Sequence, residues 1–295
     1  MASAEKAANI LTALEPADFR ILQAIELGMI QHQIVPFESL LKYSGLHEKE
    51  IEYRLKELHA KDVFIRESEP YRGYLLTYVG YDALTLNAFV KGNFIDALGS
   101  PIGKGKESDV YETFDSNGES LIMKFHRLGR TSFRATRRKR EYVADRRHIS
   151  WLYQSRLAAE KEYEALQKLF FDGISVPQPF HQNRNGILME FLDAYQLNEV
   201  ESLDEPLEYL EEIMENMEKT YRAGLIHADL SEYNILVSKQ GKLWIIDWPQ
   251  YVSTDHPNNE MYLTRDLGNV NTYFDRKFNV SLDLEEILDR ILDRS

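Results

Sequence analysis

Ile226-His227-Ala228-Asp229-Leu230-Ser231-Glu232-Tyr233-Asn234, followed by Ile235-Leu236-Val237 and then by Leu243-Trp244-Ile245-Ile246-Asp247, is the stretch on which the reading of this chain turns. The spacing Asp-x4-Asn puts a carboxylate and an amide at opposite ends of one tight loop, and a second carboxylate, Asp247, arrives thirteen residues after Asn234. An apolar strand that ends in a carboxylate is hard to explain by packing, because an unpaired buried charge is costly. Carboxylates and an amide gathered in this way suit phosphoryl transfer, which is mostly positioning and charge neutralisation. Asp229 is suited to orient or accept the proton of an attacking hydroxyl. Asn234 and Asp247 are the candidate ligands of Mg2+ (or Mn2+) bridging the phosphates of ATP. His227 sits behind Asp229 and reads as a packing or loop-bracing residue rather than a base.

Taken alone, Asp-x4-Asn means little; the residues upstream give it weight. Gly103-x-Gly105-x-x-Ser108-x-Val110 lies between apolar Ile102 and a strand over 110–114. Glycines let backbone N–H groups come close to phosphate oxygens, and the Ser108 hydroxyl stands where a third glycine is usual. No G-x-x-x-x-G-K-[ST] spacing fits, so this is not a Walker loop. Lys124 follows Val110 by fourteen residues, inside an apolar strand. A buried lysine needs a counter-charge, and the helix over 150–171 offers Glu160 and Glu162. Glu162 has Ala158, Ala159, Ala165 and Leu166 as helical neighbours, an inward-looking face, whereas Glu160 has Arg156 and Glu164. Glu162 is the expected partner. Ile102, Gly103, Gly105, Lys106, Ser108, Val110, Lys124, Glu162, Asn234, Ile246 and Asp247 form the candidate nucleotide-binding set, and Asp229, Lys124 and Asp247 the catalytic one.

The remaining chain gives the organisation. The first ninety or so residues read as three short helices and a hairpin. A helix over 18–29 carries Phe19, Leu22, Ile25 and Ile30, a second opens at Pro36 and closes at Gly45, and a third runs over about 47–61 with Ile51, Leu55 and Leu58 on one face. Residues 63–65 and 74–77 pair as a hairpin. Three helices and a hairpin describe a winged helix-turn-helix. Its third helix carries as many acidic as basic residues, which opposes nucleic-acid binding through it. Strands over 176–180 and 187–191 flank a turn at Asn185-Gly186, then come a helix through Leu210, Ile213 and Met217 and two terminal helices. The expected fold class is α+β: a winged helix over 1–92, then a bilobal, truncated protein-kinase-like domain over 93–295, with lobes of about 93–189 and 190–295.

The 295 residues carry a net charge of −13 and no cysteine. A disulfide framework and thiolate metal sites are therefore excluded. No apolar run reaches membrane-span length and the first residues lack a secretory pattern, so the expectation is a cytoplasmic protein without a membrane partner. Positive charge is concentrated: Arg127 to Arg147 holds nine basic residues against Glu141 and Asp145, while Glu190 to Glu218 holds eleven acidic residues and no Lys or Arg. The basic segment reads as an RNA contact, with Thr131 or Ser132 as self-phosphorylation sites.

Residues 103–111, 226–234 and Ile246-Asp247-Trp248-Pro249-Gln250 resemble the RIO family of atypical serine/threonine kinases, and the N-terminal winged helix resembles its RIO kinase two subfamily, in a short archaeal-like form. The resemblance covers essentially the whole chain. It implies a bilobal kinase core, Mg-ATP binding, serine autophosphorylation or ATP hydrolysis, and a part in maturing the small ribosomal subunit and its rRNA. By motif it makes Lys124 and Glu162 the phosphate-anchoring pair, Asp229 the catalytic aspartate, Asn234 and Asp247 the metal ligands, and Met189, Glu190 and Leu192 the hinge that holds adenine. The precursor subunit and its rRNA are the implied partners, through the Arg127–Arg147 segment and the winged helix.

Departures from ordinary protein kinases qualify the substrate. Ser231 replaces a lysine, Trp248-Pro249 replaces Phe-Gly, and 48 residues after Asp247 leave no room for a peptide platform. This opposes transfer to protein partners in trans and suggests that Asp247 itself takes the phosphoryl group. Two alternatives stand beside this reading: a nucleotide-sensing assembly factor with little turnover, and a small-molecule phosphotransferase of the aminoglycoside or choline type.

Overall fold

The computed structural model describes residues 2–69, 71–128 and 151–294. The chain divides into two compact units, residues 1–160 with 182–188, and residues 161–181 with 189–295.

In the first unit the winged helix is built from α1 (Ser3–Leu11), α2 (Pro16–Gly28), β1 (Val35–Pro36), α3 (Phe37–Ser44), α4 (Glu48–His59), β2 (Phe64–Glu67) and β3 (Gly73–Leu76). Pro16 starts α2, where its missing N–H costs nothing. Gly45, at φ 61°, closes α3. Ile51, Leu55 and Leu58 are buried on one face of α4. Three expectations need correction. Ile30 lies beyond the end of α2 and is 77% exposed. The sheet has a third strand, β1, in the order β1-β3-β2. Two further helices, α1 and α5 (Tyr78–Lys91), bracket the module.

Both missed helices lack an amphipathic stripe of large side chains. The buried residues of α1 are Ala4 and Ala7, and α5 is buried around most of its circumference, as a core helix is. After α5 come β4 (Ala97–Lys104), β5 (Ser108–Phe114) and β6 (Ser120–His126). They join β7 (Pro179–Asn183) and β8 (Gly186–Glu190) in a sheet ordered β4-β5-β6-β8-β7. The side chains of Tyr111, Met123, Phe125 and Leu188 belong to the same buried cluster as Leu22, Ile51 and Phe89 of the winged-helix segment. β7 begins later than the sequence suggested. Its turn falls at Arg184-Asn185, with Arg184 at φ 50°, and Gly186 is already in β8. That glycine serves close approach: an added Cβ would lie 2.7 Å from the Thr85 methyl.

In the second unit, α6 (Trp151–Phe171) continues from residue 161, and α7 (Pro206–Arg222) buries Leu210, Ile213 and Met217. β9 (Ala194–Gln196), β11 (Ile235–Ser238) and β12 (Leu243–Ile245) form a sheet in the order β12-β11-β9, and β10 (Leu225–Ile226) pairs with β13 (Val252–Ser253). The two terminal helices are α8 (Asn259–Phe278) and α9 (Leu284–Ile291). Among the described residues no helix is long and apolar enough to cross a membrane.

Candidate active site

The loop between β10 and β11 is braced from α8. Asp266 is fully buried and accepts from both N–H groups that flank Asp229, Ala228 N at 2.6 Å and Leu230 N at 3.2 Å. The Ala228 carbonyl accepts from Arg265, and the Leu230 carbonyl accepts from Asn269 at 3.0 Å. Burial raises the Asp266 carboxyl above its ordinary pKa, against the opposing pull of His227, the two N–H donors and Arg265. With its neighbours clamped on both sides, Asp229 itself stays exposed. Ala228 has φ 64°, a left-handed conformation costly for alanine and sustained by these bonds.

Asn234 closes the loop. Its Nδ2 donates to the Asp229 carbonyl at 2.9 Å, which leaves Oδ1 as the atom for a cation. Its own carbonyl accepts from Ile246 N at 2.9 Å, tying the loop to the chain just before Asp247. Asp247 has φ 69°. Trp248 N then donates to Glu162 Oε1 at 3.3 Å, and Trp248 Nε1 to the Ile245 carbonyl at 3.1 Å. His227 is buried with its ring centroid 4.5 Å from that of Trp248. Its Nε2 lies 3.0 Å from the Ile246 carbonyl and must donate, since a carbonyl only accepts. Burial lowers its pKa, which keeps the ring neutral. His227 is thus a brace, as its spacing suggested.

The glycine-rich loop in the first unit is differently made. Gly103 pairs with Val110 and Lys104 with Asp109, with irregular register between Leu98, Pro101 and Gly103. Gly105 N donates to the Ser108 carbonyl at 2.8 Å. A Cβ added to Gly103 would meet nothing within 4 Å, so packing does not demand that glycine. Ile102, Gly105 and Lys106 are exposed, and Ser108 is half-buried. Lys124 stands opposite Val110 across the β5–β6 pair and is 7% exposed, so the lysine is buried beside the loop.

Under this loop lies an ionic cluster that the sequence reading did not foresee. Arg127 is fully buried; its Nη1 and Nη2 donate to the two carboxylate oxygens of Asp82, each at 2.8 Å, and its Nε to Asp109 at 3.0 Å. Asn185 Nδ2 adds a bond to Asp82 at 3.1 Å. Arg127 therefore cannot contact RNA, which corrects its place at the head of the basic segment; residues 129–147 of that segment lie outside the described residues. Arg54, on the third winged-helix helix, is likewise engaged, by Glu15, Asp18 and Glu50 at 2.9 to 3.0 Å.

The other candidates divide between the units. Glu162, 1% exposed, belongs to the second unit and Lys124 to the first, while Glu160 holds Arg156 at 2.7 Å. Met189 is buried, and Glu190 pairs reciprocally with Gln178, its N–H on the Gln178 carbonyl at 2.9 Å and its carboxylate on the Gln178 N–H at 3.2 Å. The Leu192 carbonyl accepts from Ala194 N. The first unit thus assembles Gly103, Gly105, Ser108, Val110 and Lys124, and the second assembles Asp229, Asn234, Ile246, Asp247 and Glu162.

A winged helix ahead of a strand–loop–strand lysine site, with a braced Asp–Asn–Asp constellation beyond it, defines a kinase-type phosphotransferase. Residues 109–287 match the RIO domain family and residues 11–92 the family described as Rio2, N-terminal. The RIO-type serine/threonine-protein kinase Rio2 of Methanocaldococcus jannaschii is 42% identical over 90% of this chain and 98% of its own length. The serine/threonine-protein kinase rio2 of Schizosaccharomyces pombe is 37% identical over 94% and 80%. Among solved structures, the Rio2 kinase–ADP/Mg2+–phosphoaspartate complex from Chaetomium thermophilum matches with a TM-score of 0.84 and 33% identity, covering 98% of this chain and 93% of that one. The chain belongs to the RIO family of serine/threonine-protein kinases, with the N-terminal domain of the Rio2 branch.

Proposed function

We propose that this chain is a Mg-ATP-dependent enzyme in which Asp247 takes the γ-phosphoryl group of ATP, and that it times a step in maturation of the small ribosomal subunit through ATP hydrolysis or phosphorylation of its own serines. The observation that carries this reading is Asp247 itself: a left-handed residue at a strand end, braced on one side by Asn234 and on the other by Glu162. The phosphoaspartate named in the Chaetomium thermophilum complex supports it by likeness.

The donor set suits Mg2+, a hard cation that takes oxygen ligands, and the Asn234 and Asp247 side-chain oxygens would hold it. Among the described residues no group of three His, Cys, Asp or Glu side chains offers a self-sufficient site. When bound, Mg2+ neutralises charge on the phosphate oxygens. In the first unit, Lys124 and the N–H groups of the 103–110 loop are the proposed phosphate-binding groups. An Asp247 oxygen attacks the γ-phosphorus, the bond to the β–γ bridging oxygen breaks, and ADP leaves. A water or serine oxygen then attacks the acyl phosphate, its proton passes to Asp229, and the Asp247 carboxylate is released.

The proposed partners are the precursor subunit and its rRNA, met by the arginines of 129–147, and the proposed place of action is the cytoplasm. With Arg54 engaged by three carboxylates, the winged helix is better suited to protein contact than to phosphate contact. Acid-quenched turnover should trap a hydroxylamine-sensitive phosphate label that Asp247→Asn abolishes, and small-subunit precursors should stimulate ATP hydrolysis. Turnover without such a label would remove the Asp247 step.

A further inference from the structure

Helix α8 carries a polar face beside the catalytic loop, of which the brace described above uses only Arg265 and Asn269. Arg265, Gly268, Asn269, Thr272 and Arg276 follow the spacing i, i+3, i+4, i+7, i+11 and so share one side of the helix. With Ser231 and Glu232, which follow Asp229 in the loop, they line an open groove of about 480 Å³.

Three features mark this groove as a docking site. A mid-helix glycine weakens a helix, yet a Cβ added to Gly268 would meet nothing within 4 Å. Packing does not call for the glycine, and its effect is to keep the groove floor low. Arg276 forms no ion pair among the described residues, in a chain of net charge −13; its Nε donates weakly to the Thr272 carbonyl at 3.4 Å. Arg265 holds the Ala228 carbonyl beside Asp229 with one nitrogen and still has 44% of its side chain exposed. The groove thus begins at the catalytic loop and ends at the exposed Arg276 guanidinium.

We propose that this groove docks the phosphoacceptor, a serine-bearing polypeptide with acidic side chains that meet Arg276. It rests on the phosphotransferase reading above. Arginine forks suit carboxylates. Glu232 in the same lining argues against a nucleic-acid strand, which carries a charge on every nucleotide; a polypeptide places an uncharged residue there. Eleven helical residues rise about 16 Å, the reach of about five extended residues, so the acidic side chains belong four to five positions from the serine.

The test uses the full chain with Mg-ATP and two serine peptides, one with glutamates four and five residues to either side of the serine, the other with lysines there. The expected result is about a tenfold higher kcat/KM for the glutamate peptide, reversal of that preference by Arg276→Glu, and loss of transfer to both by Gly268→Leu. Peptide-free ATP turnover should be unchanged in both variants, which also reports that they fold. Equal use of the two peptides, or an Arg276→Glu variant with the wild-type preference, overturns the proposal. So does absence of transfer to either peptide while ATP turnover and the Asp247 label persist, an outcome that leaves the phosphotransferase reading standing. Weakened RNA oligonucleotide binding by Arg276→Glu, with peptide kinetics unmoved, assigns the groove to nucleic acid instead.

Discussion

The two loops expected to meet phosphate, 103–110 and 226–234, are opposites in construction. The second is fixed by bonds to its own backbone: Asp266 takes two N–H groups, Arg265 and Asn269 take two carbonyls, and Asn234 ties across it. The first has an internal Gly105–Ser108 bond and open space above Gly103, with its rigid point lower down at Asp109, Arg127 and Asp82. The difference teaches a division of labour. A group that aligns an attacking oxygen gains from being preset, because small misplacements are costly in rate. A cradle of N–H groups gains from being able to close around its ligand, provided the strand beneath it is anchored.

The largest effect should come from breaking the anchor. Asp82→Ala removes two of the three carboxylate bonds of a buried guanidinium, leaving only Asp109, and is expected to cost about 3–5 kcal/mol in urea unfolding, whereas replacing the charged groups together with apolar ones should cost far less. If Asp82→Ala is mild, the cluster is not the rigid point. Next comes Asp266→Ala, which leaves the Ala228 and Leu230 N–H groups without acceptors. Asp229 should lose its alignment, with ATP turnover down about 100-fold (about 2.7 kcal/mol) and KM for ATP little changed. A change confined to KM would dissolve the contrast between the loops.

A smaller effect tests the brace behind Asp229. Burial lowers the pKa of His227 below that of a free imidazole, about 6.5. Below pH 6.5 the unfolded chain binds a proton that the folded ring refuses, so stability falls as pH falls, by up to about 1.4 kcal/mol per unit, and levels off below the folded pKa. His227→Gln should flatten that part of the pH–stability curve, measured without nucleotide or Mg2+; an unchanged slope would show that the ring does not stay neutral. The smallest stability effect belongs to the open loop. In Gly105→Ala the new Cβ would sit 3.3 Å from the Ser108 carbonyl oxygen, and unfolding should shift by less than about 1 kcal/mol while KM for ATP rises several-fold.

Much of this contrast was legible in the chain. Asp-x4-Asn, the strand-end Asp247 and the strand lysine are local patterns, and local patterns are what a sequence displays. What brace and anchor have in common is long range: Asp266 lies 38 residues from Ala228, and Asp82 lies 45 from Arg127. Asp266 did leave a signal, because Leu263 and Val270, its helical neighbours at i−3 and i+4, are buried, the same inward-face test that selected Glu162 over Glu160. Arg127 left a misleading one. Adjacent to a run of arginines it read as part of that run, although it follows directly on a strand with Lys124, Phe125 and His126 buried. α5 was invisible for a related reason, since a helix buried on most sides has no polar face to set its period.

The shared cluster of buried side chains has one more consequence. Leu22, Ile51 and Phe89 lie in the same core as Tyr111 and Phe125, and Asp82 of α5 holds Arg127 beneath the 103–110 loop. The winged helix is therefore not a detachable accessory whose loss would leave a working catalyst. A chain begun at residue 93 would have an unclosed core and, under its 103–110 loop, a buried guanidinium left with Asp109 but without the two bonds to Asp82. The N-terminal module is a folding partner covalently supplied to the enzyme, so a lesion in a segment with no catalytic residue should be inherited as a loss of catalysis.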